Sequence, residues 1–311
     1  MKLYYAGDVH GSEKCWRKFL NAAKFYEADT LIMGGDITGK MMVPIVETAD
    51  GRHEARVLGK HEIVSSDELE DMEKRIRFNG FYPYRCDRAE YDRMNADTDY
   101  REETFTRLMT DEVRRWIALA EERLAGTGIR CFVMPGNDDP QALEDCIREG
   151  VYVESCDEAV VEFDGYTMLS LGYSNRTPWD SPRELDEDQL YQRIHDLSEQ
   201  VPDMSRCVFN LHVPPYDSRL DTAAELDENF KMVLIGKEPH MIPVGSTAVR
   251  QAIEEYQPLA SLHGHIHESP AANRIGRTLC INPGSDYHTG RIAGCLVTLR
   301  GDRVVHQFVT G

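Results

Sequence analysis

Leu31-Ile32-Met33-Gly34-Gly35-Asp36-Ile37-Thr38-Gly39 is an apolar run that halts at two glycines and delivers one carboxylate. Its apolar half reads as a buried strand. In α/β proteins ligands bind outside the carboxyl ends of strands, so the position of Asp36 matters as much as its charge. The glycines beside it let backbone, or an ion, come close to the carboxylate. Taken alone, an Asp after a strand reads equally well as a helix N-cap or a turn residue. The neighbouring segments decide between these readings.

On the N-terminal side, residues 2–7 form a strand ending in Gly7-Asp8-Val9-His10-Gly11. Ser12 suits the N-cap of a helix whose Trp16, Phe19, Leu20 and Ala23 share one face. Strand, helix and Asp36 strand together suggest a parallel βαβ unit. After Gly39 the pattern changes: Met42–Glu47 and Glu54–Leu58 flank Ala49-Asp50-Gly51, a hairpin signature. From Lys60 to Ala125, 29 of 66 residues are charged, and Phe105, Met109, Val113, Trp116, Ile117, Ala120 and Leu124 keep helical spacing. This charged, mainly helical stretch reads as an insertion at about 41–125 within a single domain spanning 1–311.

The core pattern resumes at Ile129–Met134, leading into Pro135-Gly136-Asn137-Asp138-Asp139-Pro140. Pro140 suits the first turn of a helix that Asp139 would cap. Val160–Phe163 and Thr167–Leu171 form a hairpin about Asp164-Gly165, and a charged helix covers roughly 183–200. Arg206–Val213 is a strand ending at His212, and 216–245 is a long, weakly patterned loop. A helix from Ser246 to Tyr256 precedes Leu259–Leu262 and His263-Gly264-His265-Ile266-His267. The tail reads as strands 275–281, 292–299 and 303–308. The whole suggests two stacked mixed sheets with helices outside.

Composition narrows the function. A net charge of −19 argues against long nucleic acid as a partner. No apolar window is long enough for a transmembrane span, and the N-terminus lacks the features of a secretory signal, so a cytoplasmic protein is expected. The eight cysteines form no Cys-x-x-Cys pair, and several sit in strand-like runs, as buried thiols of a reducing compartment do.

Residues two apart in an extended strand end project to the same side, so Asp8 and His10 can grip one ion. His265 and His267 have the same spacing beyond a glycine. The ordered set Asp-x-His, Gly-Asp-x-x-Gly, Gly-Asn-x-Asp, a strand-terminal His and Gly-His-x-His is far more specific than any of its parts. It resembles the calcineurin-like metallophosphoesterase family, with all five motifs between Asp8 and His267. The resemblance implies a four-layer α/β/β/α sandwich. It implies that Asp8, His10, Asp36 and His267 hold one metal, and that Asp36, Asn137, His212 and His265 hold the other. Two ions about 3.5–4 Å apart activate a bridging hydroxide and clamp phosphoryl oxygens during in-line displacement. Mixed imidazole and oxygen ligands suit Mn, Fe, Co or Zn, with manganese taken first.

The sequence departs from the family at Asp138, where the family has a histidine that stabilises the transition state or protonates the leaving oxygen. As a catalytic acid, Asp138 would need a raised pKa beside two cations; its bland reading is a carboxylate at a helix N-terminus. The expected activity is hydrolysis of a small phosphodiester or phosphomonoester. A protein phosphatase, and a metal-binding scaffold with decayed activity, are the competing readings. His263 reads as packing behind the strand end, and Asn282-Pro283-Gly284-Ser285 as a turn. His240, His288, Arg176 and Arg291 lie on loops from which they could reach substrate, whereas Tyr166 and Tyr173 read as packing residues.

Overall fold

Alternation along the strands explains how this chain packs. In a computed structural model describing residues 1–311, Leu31 and Met33 point into one apolar cluster and Ile32 into another. The strand Lys2–Ala6 behaves alike, sending Tyr4 and Ala6 one way and Leu3 and Tyr5 the other. A period of two on a strand buried on both faces produces this division.

Two six-stranded mixed sheets result. The first runs 303–310, 293–300, 2–6, 30–34, 130–134, 153–155; its last four strands are parallel. The second runs 271–275, 278–282, 260–262, 207–211, 166–171, 159–163, with the middle four parallel. Seven helices accompany them: α1 (Glu13–Tyr26), α2 (Leu69–Phe78), α3 (Arg88–Ala96), α4 (Thr98–Leu124), α5 (Leu143–Arg148), α6 (Glu187–Ser198) and α7 (Thr247–Tyr256). Residues of both sheets, among them Tyr5, Ile32, Phe132, Met168, Val208 and Ile281, share one cluster. The opposite faces pack against α1, α4 and α5 on the first sheet and α6 and α7 on the second.

Helix α1 starts where Ser12 accepts from the Cys15 N–H and buries Trp16, Phe19, Leu20 and Ala23. Trp16 stacks on Trp116 of α4 at 5.5 Å and donates its Nε1–H to the Trp116 carbonyl. The far half of α4 is thereby fixed to the main core. Between Met42 and Leu124, helices α2–α4 make up the larger part, but the segment also folds a four-stranded sheet, 60–64, 53–57, 42–47, 82–86, over its own cluster of seven buried residues. The hairpin about Ala49-Asp50-Gly51 is two of these strands, and that about Asp164-Gly165 also forms.

Three local expectations are corrected. The helix after Pro140 begins only at Leu143, without a side-chain cap, because Asp139 is turned inward to other donors. The strand expected at 275–281 is a hairpin, 271–275 with 278–282, turning at the left-handed Gly276. The helix expected from 183 starts at Glu187, after Ser174-Asn175 has paired with Glu184-Leu185. Within the loop 216–245 two short ribbons form, 222–224 with 241–243 and 234–235 with 238–239. All eight cysteines are buried and unpaired, and no helix is long and apolar enough to cross a membrane.

Candidate metal centre

Parallel pairing points the carboxyl ends of the central strands of both sheets toward one edge, and the five motifs follow those ends. Asp8 and His10 follow strand 2–6, Asp36 follows 30–34, Asn137 follows 130–134, His212 follows 207–211, and His265 and His267 follow 260–262. The loops are laced by backbone bonds: Asp8 N–H to the Gly35 carbonyl (2.9 Å), His10 N–H to that of Asp36 (3.0 Å), Gly11 N–H to that of Ile37 (2.8 Å). Asp8, His10, Asp36 and His265 all have left-handed backbone (φ 55°, 37°, 51° and 65°). Such conformations are uncommon for residues other than glycine and cluster where side chains must be aimed against the backbone's preference.

All seven side chains meet in two groups. In the first, His10 Nε2 and His267 Nε2 face each other at 3.1 Å, and His267 Nε2 lies 3.4 Å from Asp8 Oδ1. In the second, His212 Nε2 lies 3.0 Å and His265 Nδ1 2.7 Å from Asn137 Oδ1. Asp36 stands between them, Oδ2 at 3.6 Å from His10 Nε2 and Oδ1 at 3.3 Å from His212 Nε2. Asp8 with His10 and His267, and Asp36 with His212 and His265, each place ligand atoms within 4.8 Å of one another. Bonds of about 2.0–2.2 Å to a first-row ion keep ligand atoms within about 4.4 Å of each other, and the separations of 3.1 Å for His10–His267, 3.4 Å for His267–Asp8 and 3.3 Å for His212–Asp36 fall inside that limit. The donor set of imidazoles, carboxylates and one amide oxygen suits transition ions.

Supporting contacts fix the orientations. His212 Nδ1–H donates to the Gly34 carbonyl at 2.8 Å, which leaves Nε2 facing Asp36. Asp8 accepts from the His265 N–H on both oxygens (3.0 and 3.1 Å). Asp139 accepts from the N–H groups of Ile37, Thr38 and Gly136 and from the Thr38 hydroxyl, bolting the Asp36 loop to the Asn137 loop. A Cβ on Gly136 would lie 2.2 Å from Asp36 Oδ1, so only glycine admits the carboxylate there. His263, fully buried, points Nδ1 at the Leu211 and Val213 carbonyls and braces the end of strand 207–211. Asn282 donates to the Leu220 and Ile266 carbonyls and accepts from the Gly284 N–H, closing the turn expected there.

Burial pushes the His265 imidazole down to about 3 and that of His10 well below its ordinary value. Burial would lower His212 as well, but the Asp36 carboxylate against it raises it to about 10. His10 and His265 are thus held neutral, the form that binds an ion, whereas His212, and His267 beside Asp8, hold protons that an ion would displace.

No family model matches the chain. An uncharacterized protein of Methanocaldococcus jannaschii is 28% identical over 152 residues, 48% of this chain and 62% of that protein. The chain thus spans under two thirds of the length of the curated relative it matches. TT1561 of Thermus thermophilus superimposes with a TM-score of 0.52 at 13% identity, covering 98% of this chain and 97% of that one. A further crystal structure superimposes at 0.55 with 14% identity, over 98% of both chains. The chain shares the fold of these two structures.

Four residues around the centre have roles there that the sequence did not reveal: Lys40, Asp139, Ser181 and Tyr287. Asp138 does not sit at a helix N-terminus. Its Oδ2 is 2.6 Å from Lys40 Nζ, and its Oδ1 accepts from the Ser181 hydroxyl at 2.6 Å. Burial alone would raise this carboxyl; the Lys40 ammonium and the Ser181 hydroxyl outweigh burial and hold it down at about 2. The Tyr287 ring lies 4.7 Å from that of His10. Lys40 directly follows the Gly-Asp-x-x-Gly motif and was the one signal available; Ser181 and Tyr287 had none. The loop residues expected near substrate are engaged by carboxylates: His240 by Glu225, Arg176 by Asp186, and both His288 and Arg291 by Asp286. Tyr166 is buried in the core between the sheets, and Tyr173 lies beneath the guanidinium groups of Arg183 and Arg193.

Proposed function

We propose that this chain is a metal-dependent phosphoesterase that hydrolyses a small phosphodiester or phosphomonoester. The observation that carries this reading is Asp36, whose two oxygens face different histidines, His10 and His212, at 3.6 and 3.3 Å. In this reading Asp8, His10, Asp36 and His267 hold one divalent ion, and Asp36, Asn137, His212 and His265 the other, with manganese first among Mn, Fe, Co and Zn. Such a pair supplies Lewis acidity and a nucleophile available near neutral pH. The chain's own part is to aim the ligands, through the left-handed turns and the Gly34 and Asp139 contacts, and to surround them with protein. Asp138, ion-paired and ionised, serves as a positioning residue here and not as a proton donor.

The layers are read as α/β/β/α, which the three apolar clusters support. Residues 41–125 are read as an insertion in one domain, supported by their separate sheet and apolar cluster. Eight buried, unpaired thiols fit a cytoplasmic location. A cavity of about 620 Å³ beside Asp138, walled by Phe105, Met109 and Trp179, favours a small substrate over a phosphoprotein.

The test is metal analysis and turnover of bis(p-nitrophenyl) phosphate by protein loaded with each ion. Two ions per chain with turnover are expected. Asp36→Asn should abolish loading of both sites and lower turnover more than the roughly 10–100-fold typical of residues that merely support a ligand. Metal uptake without turnover under any ion would establish a scaffold, and no uptake would refute the reading altogether.

A further inference from the structure

Asp138 lies within the metal centre, where it makes a third group of ligand atoms within 4.8 Å with His10 and Asp36. Its backbone N–H donates to Asp36 Oδ1 at 3.0 Å, and its Oδ1 accepts from Asn137 Nδ2 at 3.0 Å. Its other oxygen is occupied by the Lys40 ammonium at 2.6 Å. Lys40 is itself constrained. The preceding Gly39 donates its N–H to Tyr82 Oη at 2.8 Å, and a Cβ on Gly39 would lie 1.8 Å from the Gly80 carbonyl oxygen. The chain therefore enters the 41–125 segment at a fixed point, with the lysine directed to the centre. The Lys40 side chain is 47% exposed.

Lys40 lines the 620 Å³ cavity, where it is the only basic residue and Phe105, Met109, Trp179 and Pro140 provide apolar wall. Trp179 is 62% exposed yet held in place, stacked on Phe230 with ring centroids 5.0 Å apart. The lining also holds two carboxylates, Glu102 and Asp138, of which Asp138 is paired with Lys40. An exposed tryptophan braced by a second aromatic ring and one cation beside the metal centre suit a ligand whose anionic end meets Lys40 and whose flat end meets Trp179. In a chain of net charge −19, an entering phosphoester also needs a local positive charge. Lysine acts on phosphate as a compact point charge with three donors.

We propose that Lys40, positioned by Asp138, binds the phosphoryl group of the substrate, and that the cavity walled by Phe105, Met109 and Trp179 receives a flat, aromatic organic group attached to it. This rests on the phosphoesterase reading above and goes further, to the residue and the ligand class. Asp138 supplies the counter-charge that keeps the ammonium at the edge of the metal centre while no substrate is bound. Lys40 then exchanges part of its contact with Asp138 for the phosphoryl oxygens.

The test uses metal-loaded, full-length protein and calorimetric binding of three probes that are not turned over: inorganic phosphate, methylphosphonate and phenylphosphonate. Metal content is measured on every variant. Wild type should bind phenylphosphonate about 10-fold more tightly than methylphosphonate, the gain of a ring packed on aromatic walls. Lys40→Met should keep its metal and lose about 10–100-fold in affinity for all three probes, the worth of one charge-assisted hydrogen bond; Lys40→Arg should retain most of it. Trp179→Ala should erase the phenyl preference and leave phosphate binding intact. Equal affinity of wild type for the two phosphonates, unchanged phosphate binding by Lys40→Met, or loss of metal from Lys40→Met would each overturn the proposal. Failure of the phosphoesterase reading itself would look different, as wild-type protein that takes up no metal.

Discussion

Asp139→Ala tests whether one buried carboxylate ties two ligand-bearing loops together. Asp139 is fully buried and accepts from Gly136 N–H at 2.7 Å, Thr38 N–H at 2.8 Å, Ile37 N–H at 3.0 Å and the Thr38 hydroxyl at 2.7 Å. Removing it leaves three backbone donors without a partner, the hydroxyl being free to rotate elsewhere. At about 1–3 kcal/mol for each stranded buried group the gross cost is about 3–9 kcal/mol. Relaxation and water entry reduce this, and about 3–5 kcal/mol is the expected loss, at the upper end for single substitutions. Urea unfolding of metal-free protein, followed by tryptophan fluorescence, measures it. Asp139→Asn, which keeps one accepting oxygen, should lose about half as much. Because the bond set joins the Asp36 and Asn137 loops, metal affinity should also fall about 10–100-fold. An Asp139→Ala protein within about 1 kcal/mol of wild type would refute the reasoning, since stranded donors of this kind cannot be that cheap.

Two further outcomes follow from the same geometry. Gly136→Ala places a Cβ 2.2 Å from Asp36 Oδ1 and 2.4 Å from the Asp36 backbone nitrogen; the Asp36 loop must shift with its carboxylate, so metal content and apo stability should both drop, and full metal occupancy would count against a shared Asp36. Loading with metal should release protons near pH 7–8, because His212, raised to about 10 beside Asp36, must turn neutral to ligate. The sign is tighter binding as pH rises, read by titration calorimetry in buffers of different ionisation enthalpy; binding without proton release would show that His212 is not a ligand.

Lys2–Ala6, Thr30–Gly34, Arg130–Met134 and Cys207–Leu211 were legible in the sequence because each is a short apolar run that stops at glycine, proline or a polar group. The side chains that converge at the centre were legible for a related reason. Asp8, Asp36, Asn137, His212 and His265 follow strand ends, and strand ends of parallel sheets share an edge whatever lies between them in the chain. Local chemistry was sufficient there.

It was insufficient where a residue's partner is distant in sequence. Asp139 reads as a helix cap until the Ile37 and Thr38 donors, about a hundred residues earlier, are brought under it. Asp138 reads as a candidate acid in the sequence, which carries no sign that the Lys40 ammonium lies 2.6 Å from it in the fold. Half of the sheet at 42–86 was legible as the hairpin about Ala49-Asp50-Gly51, whereas strands 60–64 and 82–86 were hidden because their places beside 53–57 and 42–47 depend on packing over Met72 and Ile76. By itself the sequence determined which residue types stand at the strand ends, since glycine punctuation and apolar alternation are local properties. Tertiary structure alone decided which charges meet, because a Coulomb interaction depends on distance in space and the chain brings together groups with no spacing rule between them.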